Sequence, residues 1–173
     1  MFPRQPNAHS SRVPPLPRAL AVSVLALSCA VAGAQSSATF TVTATVLPSC
    51  TVVGGGTLAF GIVTPGNQSD GSVSVTAICT VGTPYTLSLD AGTGSGATMT
   101  QRRMSSGADI LPYGLYRDAA RTQPWGDGTA GSSTVGSTGT GLAQAFTVYG
   151  RVPSSATTTV GVYADTITVT ATY

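Results

Sequence analysis

The sequence predicts an all-β domain, and three observations carry that prediction. The 173-residue chain is rich in Thr, Ser, Val and Gly and has no Lys and no Glu. Helices draw heavily on Ala, Leu, Glu, Lys and Gln, so this set favours strands and turns. Apolar residues recur with period 2 in short runs, as strands with one buried and one wet face require. Turn signals built on Gly, Pro, Asn and Asp separate those runs at intervals of about 10 to 15 residues.

Residues 1–34 read as a secretion signal peptide. Arg4, Arg12 and Arg18 precede an uncharged apolar run over 19–34, and Ala32-Gly33-Ala34 offers an A-x-A site with cleavage after Ala34. That run is 16 residues, short of the roughly 20 that a membrane span needs. The rival reading makes Cys29 a lipoprotein acceptor, but Ala26 stands where such sites want leucine. What remains is 139 residues with five Arg against six Asp, no His and two Cys. The net charge is then near −1, and no basic patch is left to hold nucleic acid or an anionic membrane. This length suits one domain with a real core. No membrane span is expected in the mature form.

The first element is the alternating stretch 38–46, with Ala38, Phe40, Val42, Ala44 and Val46 on one parity and threonine between. Pro48 interrupts it, and Cys50-Thr51-Val52-Val53 resumes the ladder. Gly54-Gly55-Gly56 is a turn and not a phosphate cradle, which would need a set glycine spacing and a following helix. A short strand is expected over 57–63 and a turn at Pro65-Gly66-Asn67; Asn67-Gln68-Ser69 is formally a glycosylation sequon, read here as chance. The next strand, 72–80, puts Val73, Val75, Ala77 and Cys79 on one face. Tyr85, Leu87 and Leu89 mark another, and the glycines after Asp90 turn the chain into 97–104. Arg102 and Arg103 are adjacent and so point to opposite faces; solvated positions are expected for them. Leu111 to Tyr116 carries Pro112 and Gly114, which suits an edge or bulged strand. Residues 126–141 are nearly all Gly, Ser and Thr and read as a flexible loop. A strand follows over 142–149. The last, 160–173, changes apolar parity between Val160, Val162, Ala164 and Ile167, Val169, Ala171, Tyr173, which a β-bulge near Asp165 would reconcile. Seven or eight short antiparallel strands of this kind are the pattern of an immunoglobulin-like β-sandwich.

Two cysteines in an exported chain pair by default, so a Cys50–Cys79 disulfide is expected. The loop closed is about 30 residues, and the cross-link would stabilise the fold by roughly 3.5 kcal/mol in the chain-entropy model. With no mature His and no third Cys, zinc has too few ligands, and Asp127 alone is far short of a calcium site. No cofactor or metal is expected. Catalysis has little to stand on without His, Lys or Glu, since Asp70, Asp90, Asp118 and Asp127 sit in or beside turns, where Asp shapes the backbone. A sugar-binding β-sandwich module would use Trp125 beside Asp127, the one constellation of that kind.

Several motifs, in order, give the chain a specific likeness. They are Phe40-x-Val42 leading to Cys50, Leu58-Ala59-Phe60-Gly61, and Ser74-Val75-Thr76 with Cys79. Then come Tyr116-Arg117-Asp118-Ala119-Ala120-Arg121, Trp125-Gly126-Asp127-Gly128 and Val148-Tyr149-Gly150-Arg151-Val152-Pro153. The last is Gly161-x-Tyr163-x-Asp165-Thr166, running to Tyr173. In these the chain resembles the spore coat protein U domain family, whose best-understood members are subunits of Csu-type archaic chaperone–usher pili. Ala77-Ile78 between Thr76 and Cys79 is a departure, since relatives often run straight into the cysteine.

The resemblance implies an incomplete immunoglobulin-like sandwich lacking its final strand. Residues 35–48 would be an N-terminal donor-strand segment and 49–173 the pilin domain. Ala38, Phe40, Val42, Ala44 and Val46 would enter the groove of a neighbouring subunit by strand addition. Ile167, Val169, Ala171 and Tyr173 would line one side of the acceptor groove. The implied partners are identical or related pilin subunits, a periplasmic chaperone and an outer-membrane usher, with the periplasm and then the cell surface as location. The implied role is a structural pilus subunit in adhesion and biofilm. A spore-coat or surface-matrix protein is the alternative.

Overall fold

The computed structural model describes residues 33–156 and 159–173. Most of the expected signal peptide lies outside the described residues. Eight strands follow one another: β1 (Cys50–Val53), β2 (Ser69–Cys79), β3 (Pro84–Leu89), β4 (Arg102–Ser106), β5 (Asp109–Tyr116), β6 (Val135–Thr138), β7 (Gln144–Val152) and β8 (Val169–Thr172). They form a five-stranded sheet in the order β1-β2-β7-β5-β4 and a three-stranded sheet in the order β6-β3-β8. Every strand pair is antiparallel. The architecture is an all-β, incomplete immunoglobulin-like sandwich.

Alternation decides which side chains meet between the sheets. In β2, Val75, Ala77 and Cys79 point inward while Ser74 and Ile78 face out; β3 buries Tyr85, Leu87 and Leu89. Leu111, Tyr113 and Leu115 from β5 and Val148 and Val152 from β7 complete the central layer, with Trp125 lying against them. Each such burial stabilises the fold by about 1.5–3 kcal/mol. Phe60 meets Tyr113, and Tyr85 meets Phe146, edge to face at 5.8 and 6.3 Å between centroids.

Several elements differ from expectation. Residues 57–63 form no strand; Leu58, Phe60 and Val63 instead pack on the core as a coil segment, with Phe60 O accepting from Ser69 Oγ at 2.5 Å. That segment lies over Gly71 and Gly150, which pair across β2 and β7. A Cβ on Gly150 would stand 2.8 Å from the Phe60 ring, so close approach explains both glycines. β5 is an interior strand, not an edge. Its ladder to β4 covers 109–113 and its ladder to β7 covers 114–116, so Pro112 sits where β5 has a partner on one side only. That resolves the conflict between Pro112 and a central position. The stretch 126–141 is not a structureless loop: it contains β6, and Asp127 Oδ1 accepts from Thr129 N and Thr129 Oγ1 in a closed turn.

Arg102 is the largest departure. It is fully buried, and its guanidinium donates to three backbone carbonyls: Asp90 O through Nε at 2.8 Å, Met99 O through Nη1 at 3.0 Å and Trp125 O through Nη2 at 2.8 Å. Burial pushes its pKa down, with Tyr113 and the nearby Asp90, Asp165 and Asp127 acting against the shift. One side chain thus ties the β3–β4 loop to the segment carrying Trp125. Arg103, on the opposite face, reaches Ser95 O at 3.1 Å in an exposed contact.

Candidate functional site: an open apolar groove

The Cys50 and Cys79 sulfurs are bonded, and the two residues are direct partners in the β1–β2 ladder. The bridge therefore anchors β1, the first strand of the sandwich, to its neighbour.

The C-terminal segment supplies one wall of the site. Inward positions alternate without a break through Tyr163, Asp165, Ile167, Val169 and Ala171, with Ala164, Thr166, Thr168, Thr170 and Thr172 exposed. The expected bulge at Asp165 is absent because Asp165 itself occupies an inward position, and Val160 and Val162 lie exposed before the alternation begins. Hydrogen bonds make that polar position tolerable. Asp165 Oδ2 accepts from Tyr113 Oη at 2.7 Å, and Oδ1 accepts from Thr93 N, Thr93 Oγ1 and Thr166 N, each at 2.8 Å. The Tyr113 hydroxyl is raised far above its ordinary pKa, by burial first and by Asp165 next. It stays a neutral donor.

β8 pairs with β3 along one edge, and among the described residues no strand pairs with its other edge. Beside that edge a groove of about 320 Å³ opens. Tyr163, Asp165, Ile167 and Val169 form one wall and Gly54 to Leu58 with Phe60 the other, while Val73, Val75, Leu115 and Val148 lie at the floor. Of the four residues expected to line an acceptor groove, Ile167 and Val169 line this one. Ala171 packs on the core beyond the groove, and Tyr173 is 59% exposed at the chain end.

The residues expected to act as a donor strand stand in no strand. Phe40 is 87% exposed and Val42 80%; Ala38, Ala44 and Val46 are also exposed, as is Ala34 at the expected cleavage site. Residues 33–43 belong to a unit separate from Ala44–Tyr173.

The other constellations have structural work. Trp125 is 1% exposed and donates through Nε1 to Leu87 O at 3.2 Å, so its ring is no platform for a sugar. In the stretch from Tyr116 to Arg121, Asp118 accepts from Thr122 N, Thr122 Oγ1 and Gln123 N, which holds its carboxyl below the ordinary range. Arg121 adopts φ 58°, donates to Gly150 O at 3.0 Å and lies over the Tyr149 ring. Asp70 takes both Arg151 Nε and Nη2, at 2.8 and 2.9 Å, with Arg121 Nη1 at 3.4 Å. Among the described residues no three His, Cys, Asp or Glu side chains gather as a metal site would require. Among them, too, no helix is long and apolar enough to cross a membrane.

Sequence reasoning missed the Asp165 clamp and the glycine pair under Phe60. The signal for the first was present: a single polar residue on the inward parity of an otherwise apolar strand.

Fold and groove together define a class: an immunoglobulin-like sandwich with one strand position unfilled. The chain belongs to the Spore Coat Protein U domain family, which it matches over residues 36–170. Among solved structures, it is similar to a chain in the crystal structure of the CsuC–CsuE chaperone–tip adhesion subunit pre-assembly complex from archaic chaperone–usher Csu pili of Acinetobacter baumannii. The TM-score is 0.54 at 23% identity, and the match covers 75% of this chain and 41% of that one. The likeness is therefore one of fold, over less than half of that chain's length. No curated protein matches.

Proposed function

We propose that this protein is a structural subunit of a surface pilus, assembled through a chaperone–usher route by donor-strand complementation. The observation that carries the reading is the groove beside the free edge of β8, set against an exposed segment of alternating apolar residues at 38–46. An apolar groove and an unpaired strand edge are both unfavourable in water, and a strand from another subunit relieves both. In this reading residues 1–34 are a signal peptide cleaved after Ala34, 35–48 are the donor and 49–173 the accepting domain. A periplasmic chaperone holds the groove until the next subunit's donor replaces it, and an outer-membrane usher passes the growing fibre to the surface. Membership of the spore coat protein U domain family and the Csu-like fold support this sequence of partners.

The role is structural and not enzymatic. The carboxylates that chemistry would need are engaged in the fold: Asp70 with Arg151, Asp118 and Asp127 in their own turns, Asp165 with Tyr113. Expression of the full chain with a chaperone and usher tests the proposal. Surface fibres should form with the full chain and disappear when residues 35–48 are deleted. Fibres that persist without that segment would favour a coat or matrix protein assembled by another contact.

A further inference from the structure

We infer that Asp165 is a specificity-determining residue of the groove: it demands an alanine-sized donor residue beside it and so sets the register, with Ala44 of one copy facing Asp165 of the next. The inference rests on the donor-strand reading above and adds to it a residue-by-residue alignment.

Asp165 is the one charged residue lining the groove among the described residues. Its oxygens are already committed to Tyr113, Thr93 and Thr166, so the carboxylate cannot swing away from an incoming strand. Directly opposed residues on neighbouring strands hold their Cβ atoms about 4.5–5.5 Å apart. At that distance a bulky apolar side chain would press on a fixed carboxylate and strip it of water. A methyl group would not. The donor stretch offers alanine at positions 38 and 44.

Direction and shape choose between them. Every ladder in the fold is antiparallel, and a strand added to β8 in that sense continues the pattern. With Ala38 beside Asp165 in that sense, Phe40 and Val42 fall at Tyr163 and beyond, leaving Ile167 and Val169 without bulky partners. With Ala44 there, Val46 faces Tyr163, Val42 faces Ile167 and Phe40 faces Val169. The opposite wall agrees. Asp165 lies at the end of the groove marked by Tyr113 and Phe60, whereas Gly55 lies against Ser74 further along β2. Phe40, the largest donor residue, then meets the part of the wall formed by Gly54, Gly55 and Gly56, which carries no side chains of its own.

The register predicts which outward threonines become neighbours between copies: Thr43 with Thr166, and Thr41 with Thr168. Full-length chains exported with chaperone and usher, carrying cysteine pairs T43C/T166C, T41C/T166C or T45C/T166C, would be oxidised and run on non-reducing gels. The first pair should give a ladder of cross-linked subunits and the other two should not. A44V should cut fibre assembly about tenfold or more through overpacking beside the carboxylate, and adding D165A should restore it. A ladder from a shifted pair, or A44V and A44V/D165A assembling alike, overturns the register and leaves donor-strand exchange standing. Fibres that form with no ladder from any pair overturn both.

Discussion

Val42→Asp separates a donor strand from a strand of the protein's own core. Val42 is 80% exposed in the subunit, so the change removes no packing there. Surface substitutions of that kind usually alter stability by less than about 0.5 kcal/mol. Seated in a groove floored by Val73, Val75 and Val148, the same position would be buried. Losing a buried valine forfeits about 1.5–3 kcal/mol, and an unpaired carboxylate in apolar surroundings adds several more or must take up a proton. A loss of about 4 kcal/mol per junction is roughly a thousandfold in affinity. Thermal melting of the chaperone-bound and free subunit would give the first half of the comparison, and fibre yield by electron microscopy the second. V42D should melt with the parent and form no fibres. If V42D instead unfolds the subunit and leaves no chaperone complex, residues 38–46 belong to their own sandwich and the reasoning fails.

Other substitutions probe the acceptor. Replacing Cys50 and Cys79 by serine should lower stability by about 2–4 kcal/mol, read as an earlier denaturant midpoint. Gly150→Val should disturb the Leu58–Phe60 cover, because its Cβ would meet the Phe60 ring at 2.8 Å; a lower melting temperature together with impaired donor capture is the expected pair of results. Asp70 is held below its ordinary pKa of 3.8 by Arg151. A depressed folded-state pKa contributes stability that is present above the unfolded value and lost as pH falls through the folded one. Stability should therefore drop below about pH 4, and Asp70→Asn should lessen that drop in denaturation curves at pH 6 and pH 3.

Much of the fold was legible because period 2 reports burial wherever one face is wet. β2, β3, β7 and the Cys50–Cys79 pair follow from alternation and compartment alone. Reading failed where side chains act through backbone groups. Arg102 is buried because three carbonyls converge on it, two of them 12 and 23 residues away in sequence, and no local pattern announces that convergence. β6 reads Val-Gly-Ser-Thr within a Gly- and Ser-rich stretch whose weak propensity hides a strand held by pairing with β3. Residues 57–63 alternate like a strand yet find no ladder, since the glycines beneath them favour a packed coil. At the groove, Ile167 and Val169 were readable from parity. Asp165 was misread as a break because a carboxylate on the inward face looks like an error until Tyr113 and Thr93 are seen to bind it.

Distance along the sandwich explains why a chain of this design would polymerise and not close on itself. Ser49 O accepts from Thr80 N, and Cys50 is bonded to Cys79, so the chain is fixed at that end. In the register set by Asp165, Val46 sits beside Tyr163, at the end of the groove marked by Tyr113, Phe60 and the Gly71–Gly150 pair. From Gly71 to Cys79 along β2 is eight residues, or about 26 Å at roughly 3.3 Å each. Four residues from Val46 to Cys50 reach at most about 14 Å. The segment is too short to fill its own groove in that register, though nothing limits its reach into another copy. Lengthening the connection should reverse the outcome. Inserting about ten Gly and Ser residues after Leu47 would let the donor fold back, at an effective concentration in the millimolar range that outcompetes other copies. The variant should elute as a monomer and melt well above the parent subunit, its groove now filled. An insertion that leaves assembly and melting unchanged would show that the donor does not enter the groove in this direction.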